Sequence, residues 1–196
     1  MSPMQQDPAL APWRRLGETL AGSFAARARG LLASDFAIQG RGGEEIGRLE
    51  IYGPEGAELE AGDLEARIER CAPTGYAMLA GGAKILSAGP VGSLNTPEIR
   101  CSGRLYQGRL SLLRNTAEAS LSGDEATVRI TGGLTNRNYE AVFDPGDEGS
   151  LPVAFFLLYL AVALRREAYL TAVFGRVDPS ENRANQRFSL SAFCSC

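Results

Sequence analysis

Leu151 to Leu164, LPVAFFLLYLAVAL, is an uninterrupted apolar run closed by Arg165 and Arg166. At about 14 residues it is shorter than the roughly 18 to 20 that a helix needs to cross a bilayer. No polar stripe divides it, so it does not suit a surface with one wet face; it must be wrapped by protein or seated partly in lipid. Ser150 stands where an N-cap belongs, and Pro152 falls in the first turn, where its missing N–H costs nothing. Asp147 and Glu148 favour the positive end of the helix dipole. The spacing predicts a buried helix over about 151–166, with continuation through AYLTAVF as the alternative.

The material that could wrap such a helix lies before it. FAIQ, IGRLEI, LEARIER, YAMLA, EIRCSGRLY, RLSLLR, ATVRIT and NRNYEAVF are short alternating or β-branched runs. GRGGEE, GPEG, GGAK, SGDE and TGG punctuate them as turns. The pattern over about 35–143 is that of an antiparallel meander, sandwich or barrel, and no long helical period interrupts it. At 196 residues the chain can bury one sizeable core. Residues 1–12 read as a flexible lead and 33–196 as a single β-rich domain. Between them, Trp13, Leu16, Leu20, Phe24 and Leu31 recur at helical spacing, with Arg14, Arg15, Arg27 and Arg29 mostly off that face. This predicts an amphipathic helix over 13–32. Its basic face and single Trp suit a membrane surface, and its apolar stripe suits docking on its own domain; docking is the reading adopted.

VRITGGLTNRNYEAVF, then the acidic turn DPGDEG, then LPVAFFLLYLAVALRR give the order strand, glycine, strand, Asp-bearing loop, apolar helix. That order resembles the tubby C-terminal superfamily, which includes the LURP-one-related proteins and the phospholipid scramblases. The resemblance implies a closed antiparallel barrel of about twelve strands around a central hydrophobic helix, a geometry that buries an all-round apolar helix without lipid. Two departures accompany it. Tubby domains hold phosphoinositide head groups through lysine and arginine, and no such pair aligns here. Scramblases carry an Asp-rich calcium segment, whereas Asp144, Asp147 and Glu148 offer fewer oxygens than the six to eight that calcium takes.

Composition excludes several chemistries. The chain has no histidine, which removes Ser-His and Cys-His nucleophiles, the commonest neutral-pH base and imidazole metal ligands. A formal net charge of −3 argues against nucleic acid as a partner. Lys84 is the only lysine, so the cationic chemistry is that of arginine. Cys71, Cys101, Cys194 and Cys196 form no C-x-x-C pair or zinc spacing. Cys71 and Cys101 read as small strand residues, and Cys194 and Cys196 as part of a frayed end. With Asp7 and several prolines but no early apolar stretch, the N-terminus reads as lacking a signal peptide, so a cytoplasmic location is expected, peripheral to membrane if the basic helix docks there.

Two clusters remain as candidate sites. Asp144, Asp147 and Glu148 could hold a divalent cation, although a turn and a favourable helix start also explain them. Arg100, Arg104, Arg109 and Arg114 fall on neighbouring predicted strands, with Arg129 and Arg137 on the next hairpin, and together could bind an anion. Pairing with Glu98, Glu118 and Glu140 is the plainer account of these arginines. No cofactor is expected. The functional expectation is a non-catalytic binding or scaffold domain contacting anionic lipid or a protein partner. The alternatives are a small carboxylate-dependent enzyme and a peripheral membrane protein.

Overall fold

The alternating runs become twelve strands, and each inward residue of one strand faces an inward residue of the next. In the computed structural model, which describes residues 8–30, 33–72, 75–89, 96–121 and 125–174, the strands are β1 (Ser23–Arg29), β2 (Asp35–Gln39), β3 (Glu45–Ile51), β4 (Gly56–Ala61), β5 (Leu64–Ala72) and β6 (Gly75–Ala80). They continue with β7 (Ala83–Ala88), β8 (Glu98–Cys101), β9 (Arg104–Ser111), β10 (Thr116–Ser120), β11 (Val128–Gly132) and β12 (Asn138–Phe143). Every strand pairs antiparallel with its sequence neighbours, and β1 pairs with β12 to close the barrel. A row such as Leu49–Leu59–Ala66–Ala80 runs around the inner wall, while Arg48, Glu58, Glu60 and Arg67 take the outward parity. Apolar inside and charged outside is the reverse of a lipid-facing barrel, so this wall is built to meet water.

The lumen is filled by helix α2 (Ser150–Phe174), buried at every residue from Leu151 to Leu164. A helix about 10 Å across fits inside only where the wall is lined by small side chains. The inward positions of β10 are Ala117 and Ala119, and Ala141 lies on β12, the part of the wall against which α2 packs most closely. Aromatic rings fill the rest: Phe24 stacks on Phe155 at 4.5 Å, and Tyr76 meets Phe156 and Tyr159 edge-on at 6.0 and 5.7 Å. α2 enters past the β12 side of the lower rim and leaves at the upper rim, where Glu167 to Leu170 are exposed.

Several expected boundaries change. The helix expected over 13–32 is only α1 (Ala11–Leu20), preceded by a 3-10 turn at Pro8–Leu10. Ala21 and Gly22 adopt left-handed φ of 49° and 88°, which ends the helix, and a side chain on Gly22 would press on the carbonyl of Phe143 at 3.1 Å. Residues 23–29 then form β1, so the barrel begins before residue 33. Phe24 satisfies both periods, and the inward Ala26 and Ala28 hide the alternation. The structured chain also begins within the supposed lead, since Leu10 is buried. α2 itself runs past 166 to Phe174, following the longer alternative. The tail bearing Cys194 and Cys196 lies outside the described residues.

α1 closes the lower rim. Trp13 is 1% exposed, 6.0 Å from Phe155, and Leu16 and Leu20 are buried with it. The basic face is taken up locally: Arg14 pairs with Glu148 at 2.6 Å, Arg15 with Asp63, Arg27 with Glu140 at 3.6 Å and Arg29 with Glu45.

Candidate functional site

The polar cluster richest in chemistry lies where α2 begins. The β12–α2 connection folds on itself: Asp144 accepts a hydrogen bond from the Gly146 amide at 2.9 Å, and the Ser150 hydroxyl donates to the carbonyls of Asp144 and Asp147 at 2.5 and 2.8 Å. This geometry turns Asp147 inward. Its buried carboxylate accepts from the Tyr106 hydroxyl at 2.8 and 2.9 Å, from Arg104 Nη1 at 2.8 Å and from the Gly149 amide at 3.1 Å. Arg104 reaches it from the first position of β9, and Tyr106 comes from the inward parity of the same strand. Gly149 is required here, because a Cβ at that position would collide with the Tyr106 hydroxyl.

Burial raises the Tyr106 phenol well above its ordinary range, and its bond to Asp147 adds to the shift. The phenol is therefore a protonated donor at neutral pH. Asp147, with an arginine, a phenol and an amide all donating to it, is a saturated acceptor. The arrangement anchors the start of α2 to β9. A cavity of about 220 Å³ beside it is lined by Trp13, Arg14, Glu18, Asp147, Glu148 and Ser150.

Arg104 and Asp147 are the two sequence candidates that the fold brings together. The other carboxylates diverge, Glu148 to Arg14 and Asp144 to the Gly146 amide. Among the described residues no three acidic or cysteine side chains gather to hold a metal ion. The arginines do not converge either. Arg100 is exposed on the outer wall. Arg109 and Arg129 flank Glu118 in register across β9, β10 and β11, and Arg129 Nε donates to it at 2.8 Å. This is the expected pairing. Arg114 and Arg137 stand on the β9–β10 and β11–β12 turns, at the opposite rim from Arg104, because successive turns of an antiparallel meander alternate between ends.

That upper rim holds a second polar network that sequence reasoning missed. Asn115 Nδ2 donates to the Gly133 carbonyl at 2.8 Å, and the Gly132 amide donates back to the Asn115 carbonyl at 2.7 Å. Asn136 Nδ2 donates to the Val162 carbonyl at 3.3 Å and accepts from Tyr139, while Arg165 Nη2 donates to the Leu134 carbonyl at 2.7 Å. The two hairpin turns and the departing helix are thereby fastened together. The signal was the Asn-rich turn LTNRNY, which reads as ordinary turn chemistry until the helix is placed beside it. Tyr106 was missed for a similar reason, since a tyrosine in an alternating strand reads as core.

A larger concavity of about 970 Å³ lies on the outer wall beside the β4–β5 and β6–β7 turns, lined by Glu58, Glu60, Asp63, Glu65 and Arg67. Two of its carboxylates are engaged, Asp63 by Arg15 and Glu58 by the Tyr52 hydroxyl at 2.7 Å.

No protein-family profile matches this sequence, and no curated protein matches it. Among solved structures it is similar to an Arabidopsis thaliana protein determined by X-ray crystallography, with a TM-score of 0.50 and 10% identity over 78% of this chain and 96% of that one. At that identity the likeness is one of fold, over nearly the whole of the plant protein's length.

Proposed function

We propose that this chain is a non-catalytic binding or scaffold domain of the tubby-like kind, acting through its rims and outer wall. The observation that carries the reading is the lumen. A barrel that holds a ligand keeps its interior for it, whereas this one spends its interior on its own helix, buried from Leu151 to Leu164. The order of strands, Asp-bearing loop and apolar helix noted in the sequence, together with the closed twelve-strand barrel around that helix, supports the tubby-like assignment. The best acid–base pair, Tyr106 with Asp147, is engaged in fastening that helix, which favours binding over turnover.

The test is a panel of phosphate, carboxyl and glycosyl ester substrates, with and without magnesium or calcium. The expected result is turnover at the buffer level throughout. Turnover that disappears in Asp147→Asn, with the melting curve of that variant unchanged, would replace this reading with that of a carboxylate enzyme.

A further inference from the structure

Resting on the binding-domain reading, we propose that the upper rim on the β9–β12 side docks peripherally onto an anionic membrane surface, with Leu113 and Leu134 as the inserting side chains. Leu113 is 100% exposed at the tip of the β9–β10 turn and Leu134 is 97% exposed at the tip of the β11–β12 turn. Tyr169 and Leu170, on the part of α2 that has left the barrel, are 67% and 44% exposed. Single apolar residues scattered over a surface are ordinary. These belong to three segments joined to one another by the Asn115–Gly133 and Arg165–Leu134 hydrogen bonds. Tyr169 is one turn beyond Arg165 on the same helix face, about 6 Å further out along the axis. Of the other exposed large apolar side chains, Leu105 and Val142 lie on the wall, and Tyr52 is tied by its hydroxyl to Glu58.

Charge names the occupant. The same turns and helix segment carry Arg114, Arg137, Arg165 and Arg166 against one carboxylate, Glu167. Among the described residues Arg114, Arg137 and Arg166 have no ion-pair partner, although the protein as a whole is net acidic and most of its wall arginines are paired. Of the described carboxylates near the upper rim, Asp35 meets Arg48 at 2.8 Å and Glu55 meets Arg70 at 3.6 Å on the β2–β5 side, and Glu98 stands on β8 at the margin of the sector. A negative surface would therefore draw in the β9–β12 sector and tilt the acidic sector away. The apolar groups are convex tips rather than a groove, which fits insertion among head groups better than lodging in a rigid partner. Among the described residues no helix is long and apolar enough to cross a membrane, so the contact is peripheral. The binding sector is thus at the opposite end from the Trp-bearing α1.

Flotation of the full chain with vesicles of phosphatidylcholine containing 30% phosphatidylserine, against pure phosphatidylcholine, tests this (about 30% being ample to set a negative surface potential). Binding is expected to the anionic vesicles alone. Both leucine side chains are fully solvated, so Leu113→Ser with Leu134→Ser should keep the wild-type melting curve while weakening partition at least tenfold, the order expected from withdrawing two buried side chains. Arg114→Gln and Arg137→Gln should each weaken it about fivefold at low salt, with the difference shrinking near 0.5 M salt. Arg100→Gln, on the wall, should leave it unchanged.

No flotation, or flotation indifferent to the leucine pair, overturns the proposal. So does a concentration-dependent dimer abolished by the pair without vesicle binding, which would assign the tips to a second copy. Binding that emerges only when residues 175–196 are removed would assign them to the chain's own C-terminal segment, and likewise overturns it. Each of these failures leaves the binding-domain reading standing, because only the turnover panel bears on that.

Discussion

Leu158 lies midway along the buried stretch of α2 inside the closed wall and is fully buried. Leucine-to-alanine changes in cores cost about 2 to 5 kcal/mol, and the spread reflects how far the surroundings collapse into the gap. Collapse is hard here. A helix on a surface can slide toward a void, but α2 is enclosed on every side and fastened at both ends. Ser150 ties its start to the carbonyls of the Asp144–Asp147 turn, Tyr159 donates to the Pro54 carbonyl at 3.0 Å, and Arg165 holds the Leu134 carbonyl. Leu158→Ala should therefore fall in the upper part of the range, about 3 to 5 kcal/mol. For a chain of this length that lowers the melting temperature by about 6 to 20 °C. Leu158→Asp, which strands an unpaired charge, should yield insoluble protein, since a whole domain has only about 5 to 15 kcal/mol of stability. Leu113→Ala, at a fully solvated tip, should stay within about 0.5 kcal/mol of wild type. Urea or thermal unfolding followed by far-ultraviolet circular dichroism measures all three. A Leu158→Ala protein as stable as the Leu113→Ala control, or a soluble Leu158→Asp with the wild-type curve, would refute the enclosed-helix reasoning.

Two further outcomes follow from buried aromatic groups. Burial raises the phenols of Tyr106 and Tyr159 well above their ordinary range and pushes Tyr139 up to about 12. Because the folded chain keeps these protons after the unfolded chain has released them, stability is untouched below about pH 10 and falls above it, by up to about 1.4 kcal/mol per pH unit for each tyrosine. Urea midpoints measured from pH 8 to 11.5 should show this slope, and Tyr159→Phe should make it shallower; a flat profile would show these phenols to be solvated. Trp13, the only tryptophan, is packed beneath α2 at the lower rim, so its emission should be blue-shifted without lipid and unchanged when anionic vesicles are added. Red emission that shifts blue on addition would mean that α1 leaves the barrel.

The apolar run of α2 was legible because a helix without a polar face has few places to go, and the strands around it were legible where large inward residues alternate with charged ones, as in Ile68 and Arg67. What hid the remaining strands is the presence of the helix itself. Room for α2 had to be made by alanine, so β1 presents Ala26 and Ala28, and β10 presents Ala117 and Ala119, in place of the bulky residues that announce a strand. A window weighted by side-chain size reads such segments as helix, as it did over 13–32, or as turn. The small residues are nevertheless a signal once the helix is taken as given, because a barrel that contains one must be lined thinly somewhere.

The candidate sites diverged for a different reason. Sequence proximity gathered Asp144, Asp147 and Glu148, but three residues within one tight turn point three ways, and Asp147 alone of them faces inward. The arginines were grouped by strand adjacency, which fixes register and not the rim at which a residue stands. Arg104 and Arg114 are ten positions apart on one strand and its turn, and a strand of that length carries them to opposite ends of the barrel, about 30 Å apart when fully extended. One of them braces the start of the helix. The other stands beside Leu113 at the rim where the helix comes out, and among the described residues it is there that unpaired arginines and exposed apolar tips coincide.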